Sequence, residues 1–134
     1  MEAVKKIELP KIEDPRGNLT FFEDCNQIPF KIERVFWTYD VPGGETRGGH
    51  AYYKQNEFII ALSGSFDVVI TLPSGEQERY NLNRSYYGLY VPAKTWRHIE
   101  NFSTNTLSLH ASDSEFNEAD YIRSFDKYLR VYEK

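Results

Sequence analysis

One histidine, His50, is the group best placed to do chemistry. From Gly44 the chain reads GETRGGHAYYKQNEFIIALSG, which sets His50, Tyr52 and Glu57 in a fixed order before Gly64. Downstream, GLYVPAKTWRHIEN carries Pro92, Arg97 and Asn101. On a strand, residues two apart share a face, so His50 and Tyr52 point the same way. An imidazole titrates near neutrality, which suits His50 to act as a general base. A phenol has an ordinary pKa of about 10, so Tyr52 is a hydrogen-bond donor or acid rather than a base. Glu57 can act directly, or hydrogen-bond His50 and fix its tautomer. Arg97 brings a permanent positive charge, aimed at a ligand or paired with Glu57. Strand alternation turns His98 outward, and His98 and His110 are expected to be structural. Cys25 lies in a polar loop with no histidine motif nearby, which argues against a nucleophile. As the single cysteine, it also excludes an intrachain disulfide.

These groups need a scaffold, and the punctuation of the chain is that of an all-β domain. Residues 4–9 (VKKIEL) and 17–23 (GNLTFFE) are candidate strands around the turn Asp14-Pro15-Arg16-Gly17. KIERVFWTYD alternates and stops at Pro42-Gly43-Gly44. EFIIAL and FDVVITL flank Ser63-Gly64-Ser65, and Pro73-Ser74-Gly75 marks a hairpin turn. EQERYNL reads as an exposed strand, and YGLYV, WRHIE and TLSLHA complete the series. About ten short strands at this spacing indicate a sandwich or barrel. The tail differs: Tyr121, Ile122, Phe125, Tyr128 and Leu129 recur at helical spacing. That spacing predicts a short C-terminal helix packed on the barrel. No repeat or linker interrupts the chain, so one domain over residues 1–134 is expected.

Bulk properties narrow the partners. The 134 residues suit a single core, and 40% hydrophobic content with 10 Tyr and 9 Phe fits a β-rich domain. A net charge of -4 gives no sign of general nucleic-acid affinity. No segment approaches the roughly 20 apolar residues of a membrane helix. A soluble, cytoplasmic protein is expected.

The two motifs together resemble those of the cupin superfamily, over residues 44–101. The resemblance implies a double-stranded β-helix, the cupin or jelly-roll barrel. In that superfamily a second histidine stands at the position of Tyr52 and another at that of Arg97. With the residues at His50 and Glu57 they close on a divalent metal. Here two of the four positions are changed and one is cationic, so neither a bound metal nor another cofactor is expected.

A narrower resemblance covers most of the chain in order. DPRGNL, RGGHAYYKQNEFIIALSGSFDVV, GLYVPAKTW and ASDSEFNEADYIRSFDKYL are similar to stretches of the dTDP-sugar 3,4-ketoisomerases. The family's central stretch usually reads His-Ala-His, and Tyr52 departs from it. The resemblance implies an isomerase that moves a carbonyl from C4 to C3 of a dTDP-linked 4-keto-6-deoxyhexose through an enediol. The product would feed an aminotransferase making 3-amino-3,6-dideoxy sugars for surface glycans such as O-antigen. His50 and Tyr52 are the implied catalytic pair. Arg16, Arg47, Lys54, Glu57, Tyr90 and Arg97 are the implied substrate contacts. Among them the cations serve the diphosphate, Arg16 and Arg97 steer reprotonation at C4, and Tyr39, Tyr53 and Tyr90 are candidates to hold thymine. A homodimer is also implied. Alternatives left open are a non-catalytic sugar-nucleotide-binding module and a cupin-type epimerase.

Overall fold

The computed structural model describes residues 3–132. Twelve strands and one helix are formed among them: β1 (Lys5–Glu8), β2 (Lys11–Ile12), β3 (Leu19–Thr20), β4 (Arg34–Thr38), β5 (Arg47–Tyr52), β6 (Glu57–Ser63), β7 (Phe66–Thr71), β8 (Gln77–Leu82), β9 (Tyr87–Val91), β10 (Trp96–Glu100), β11 (Leu107–Ser112), β12 (Tyr121–Ile122) and α1 (Phe125–Tyr132). Two five-stranded antiparallel sheets result, ordered β1-β9-β6-β11-β4 and β12-β5-β10-β7-β8. They face each other as the double-stranded β-helix anticipated from the sequence. β2 and β3 form a separate hairpin with Arg16 near its tip.

Burial explains why the strands read as they do. Between the sheets lie Ile59, Ala61, Val68, Ile70, Leu89, Val91 and Ile99. The alternate residues Phe58 and Ile60 face the other way, under Leu9, Ile28 and Phe30 of the N-terminal segment. β6 is therefore buried on both faces from Phe58 to Ala61, which is why FIIA is a continuous apolar run. β8 is a sheet edge and mostly exposed, so QERYNL is largely polar. Gly88 is required by close approach: a Cβ there would lie 2.4 Å from Ile60 Cγ2 and 2.5 Å from the Ile59 carbonyl. Gly64, which ends the first motif, has φ +69°, and a Cβ there would meet Ser103 Oγ at 2.6 Å. Asn101, which ends the second, has φ 59° and donates to Asp67 at 3.1 Å. Both motif ends are thus devices of the fold.

The tail corrects one expectation. The helix begins only at Phe125, and Tyr121 and Ile122 form a strand paired with Tyr52 and Ala51 of β5. Ser124 explains the boundary. Its carbonyl accepts from the Tyr128 amide at 2.9 Å and its hydroxyl from the Lys127 amide at 3.3 Å, as an N-cap does. Upstream of that cap the chain alternates by two: Ile122 packs with Ala51 and Tyr128, and Tyr121 turns to the opposite side. The helix itself packs on the barrel as expected, through Tyr128, Phe125 and Leu129.

Candidate active site

A cavity of about 520 Å³ opens between the two sheets. Its lining includes His50, Glu57, Arg97, Arg47, Tyr121 and Arg123. The strand pairing places them. His50 on β5 lies directly opposite Arg97 on β10. Glu57 reaches across from β6 in the other sheet and accepts a hydrogen bond from Arg97 Nη1 at 2.8 Å. Both members of this ion pair are nearly sealed, at 3% and 1% exposure. The remaining Arg97 donors divide: Nε gives to the Thr95 carbonyl at 3.0 Å, and Nη2 is buried with no hydrogen-bond partner.

Behind Glu57 runs a buried polar chain. Glu57 Oε2 lies 3.2 Å from Nδ1 of His110, and His110 Nε2 lies 2.9 Å from Ser108 Oγ. Ser108 is in turn hydrogen-bonded to Thr38 across the β4–β11 ladder. Phe36 stacks flat on His110 at 4.6 Å, as expected for a cross-strand pair. An ionised Glu57 requires Nδ1 of His110 to be the donor. Glu57 does not bond His50, contrary to the tautomer-fixing role considered from sequence. Its partners are Arg97 and His110, the first of which was the alternative weighed there.

The electrostatics follow from these contacts. Burial alone would raise the Glu57 carboxyl, but the hydrogen bond from His110 and the charges of His110 and Arg97 outweigh it and hold it at about 2. Burial, reinforced by the Arg97 charge, depresses the His50 imidazole to about 3. His50 is therefore neutral at physiological pH, and its buried Nε2 has no hydrogen-bond partner. In the Nδ1–H tautomer that nitrogen presents a lone pair. Burial, with Glu57 nearby, pushes the Tyr52 phenol well above the ordinary tyrosine range.

Not every residue singled out from sequence meets here. His50, Glu57, Arg97 and Arg47 line the cavity, and Tyr52 lies just behind, its ring 4.7 Å from that of His50. Arg16 is solvent-exposed on the hairpin and held by Asp14 at 2.9 Å. Lys54 lines a different depression, beside Asp113 and Asp120. Tyr90 is buried in the cluster under the N-terminal segment, against Phe30. Tyr53 packs near α1, and Tyr39 lines a second depression that shares Trp37, Thr38, Thr46 and Arg47 with the cavity. His98 turns outward to Glu100, as its register predicts.

Sequence reasoning missed Trp37, His110, Tyr121 and Arg123. The alternation Ser108, His110, Ser112 was a usable signal, since it is a polar face on a strand whose inner side is buried. Tyr121 was hidden by its helical spacing to Phe125 and Tyr128, and Arg123 lay within the same segment.

The donor set does not fit a metal. The Glu57 carboxylate is committed to Arg97 and His110, and a guanidinium stands where a cation would sit. Among the described residues no group of three or more His, Cys, Asp or Glu is placed to hold one. The lining suits an anion instead, with Arg47, Arg97 and Arg123 against the carboxylate of Glu57, although Arg123 also pairs with Glu118 outside the lining at 2.7 Å.

Known proteins share this fold. The chain is 34% identical over 130 residues to the TDP-4-oxo-6-deoxy-α-D-glucose-3,4-oxoisomerase of Aneurinibacillus thermoaerophilus, covering 97% of this chain and 93% of that one. A histidine-to-asparagine mutant of the 3,4-ketoisomerase QdtA from Thermoanaerobacterium thermosaccharolyticum, in complex with TDP-4-keto-6-deoxyglucose, superposes with a TM-score of 0.93 at 32% identity, covering 96% and 92% of the two chains. The WlaRB TDP-quinovose 3,4-ketoisomerase from Campylobacter jejuni superposes with a TM-score of 0.90 at 33% identity, over 97% and 99%. The model of the FdtA family, described as WxcM-like, C-terminal, matches residues 2–133. With that match and these relatives, the chain belongs to the WxcM-like, C-terminal (FdtA) family.

Proposed function

We propose that the protein is a 3,4-ketoisomerase that moves the carbonyl of dTDP-4-keto-6-deoxyglucose from C4 to C3 by proton transfer. One observation carries the reading: the unpaired Nε2 of His50 and the unpaired Nη2 of Arg97 belong to neighbouring residues on the wall of a cationic cavity. The substrate class is supported by the relatives named for, or bound to, that TDP-sugar.

The C4 ketone acidifies the hydrogen on C3. Neutral His50 accepts that proton at Nε2, the ring nitrogen left without a partner. Negative charge then grows on the C4 oxygen, and Arg97 Nη2 is the donor available to meet it. The imidazolium returns its proton to C4, and the carbonyl is left at C3. In the free protein the depressed basicity of His50 owes part of its cause to Arg97. A dianionic diphosphate offsets that charge, so the bound substrate strengthens its own base. Arg47 and Arg123 are assigned to the diphosphate, and Trp37 and Tyr39, 56% and 64% exposed beside the cavity, to thymine. Tyr52 is assigned to hold the His50 ring by edge contact. A cytoplasmic homodimer fits this reading, with the exposed edge strand β4 as its contact surface.

The test is incubation with dTDP-4-keto-6-deoxyglucose and a 3-aminotransferase. A 3-amino product is expected, and its absence would overturn the reading. His50→Asn is expected to bind dTDP normally and to form no product. Normal turnover in that variant would remove His50 as the base.

A further inference from the structure

The proposed reaction needs a group that arginine cannot supply. The C4 oxygen must gain a proton and the C3 hydroxyl must lose one, whereas Arg97 does not give its protons up. His50 is occupied with the carbon-bound proton. The sequence offers Tyr52 for this role, at the position of the family's second histidine. Tyr52 is not part of the cavity lining, and its buried phenol is hydrogen-bonded to Tyr121.

A different tyrosine has the access. Tyr121 of β12 lines the cavity, with its ring 5.2 Å from His50 and 4.7 Å from Tyr52. The β12–β5 register opposes it directly to Tyr52. The Arg123 guanidinium lies 4.2 Å from the Tyr121 ring centre and also lines the cavity. Tyr121 thus lines the cavity beside the base, its phenol hydrogen-bonded to that of Tyr52 and its ring against the Arg123 guanidinium.

We propose that Tyr121 is the catalytic acid and base for the sugar oxygens, a role that rests on the ketoisomerase reading. In the first step His50 Nε2 removes the proton from C3. The C–H electrons form the C3–C4 double bond, the carbonyl π electrons move to the C4 oxygen, and that oxygen takes the Tyr121 phenol proton. The result is a neutral enediol, an imidazolium and a phenolate. In the second step the phenolate takes the proton of the C3 hydroxyl, the C3 carbonyl forms, and C4 takes the proton held by His50. Imidazole and phenol are restored and no co-reactant is consumed.

Tyr121→Phe removes one oxygen and keeps the ring contacts. The expected result is a kcat lower by roughly 10²–10⁴-fold, with KM and dTDP affinity within about threefold and a cooperative melting transition lowered only by the lost Tyr52 hydrogen bond. If the wild type forms no 3-amino product, the ketoisomerase reading fails. If the wild type turns over and Tyr121→Phe retains kcat within threefold, the Tyr121 assignment alone is overturned. A fluorotyrosine at position 121 gives a second measurement that does not depend on Tyr121→Phe folding. It lowers the phenol pKa, so the alkaline limb of kcat is expected to move to lower pH by about one unit or more. An unmoved limb overturns the assignment.

Discussion

Replacing Glu57 by Gln tests the ion pair on which the cavity is built. The substitution keeps the side-chain shape and one acceptor oxygen but removes the charge opposite Arg97, itself 1% exposed. A buried cation stripped of its partner costs about 3–5 kcal/mol. The proton affinity of Glu57 gives an independent figure. A carboxyl held at about 2 rather than the ordinary 4.5 corresponds to about 3 kcal/mol of stabilisation of the ionised form. The retained amide oxygen favours the lower end, so about 3 kcal/mol is expected. For a domain of this size that lowers Tm by roughly 10–18 °C. The sign of the pH effect follows from the depressed pKa. The contribution is complete above pH 4.5 and is lost as pH falls through about 2. Thermal and urea denaturation of both proteins at pH 7 and at acid pH measures this directly, with the two curves converging below pH 4.5. The double variant Glu57→Gln, Arg97→Met is expected to be more stable than Glu57→Gln alone. A Glu57→Gln cost under 1 kcal/mol at pH 7, or a double variant weaker than the single, would refute the buried-pair argument.

Three further outcomes follow from the same structure. The His50 imidazole, lowered to about 3 from 6.5, is already neutral in the free protein at pH 5, so kcat/KM should show no acidic limb near 6.5. A limb at that pH would contradict it. The unfolded chain takes up this proton below pH 6.5 and the folded one does not, so the His50 share of stability falls as pH drops from 6.5 towards 3. Gly88→Ala places a Cβ 2.5 Å from a backbone carbonyl that cannot swing aside, and a loss of about 2 kcal/mol or more in urea denaturation is expected.

The barrel was legible because its cues are local. Turn residues sit where the chain turns, and the doubly buried β6 and edge β8 announce their burial in composition. His50, Glu57 and Arg97 were legible through the spacing of two motifs. What escaped was pairing. Nothing between Ser108 and Ser112 reveals that Phe36 stacks on His110, since that contact depends on the β4–β11 register. Tyr121 escaped for a sharper reason. Its spacing to Phe125 and Tyr128 satisfies a helix, and only the Ser124 cap divides the segment into a strand and a helix. Arg16, Lys54 and Tyr90 were chosen by residue type and resemblance, and neither fixes the face of a strand or the reach of a hairpin.

The ion pair across the barrel also constrains how the protein can diverge. Single replacement of either Glu57 or Arg97 passes through a chain with an uncompensated charge in its interior, at a cost comparable to much of a small domain's stability. Two positions forty residues apart are thereby tied into one unit of inheritance. An imidazole introduced at position 97 alone would leave the Glu57 carboxylate without its guanidinium, so exchange at either position is expected to need a compensating change at the other.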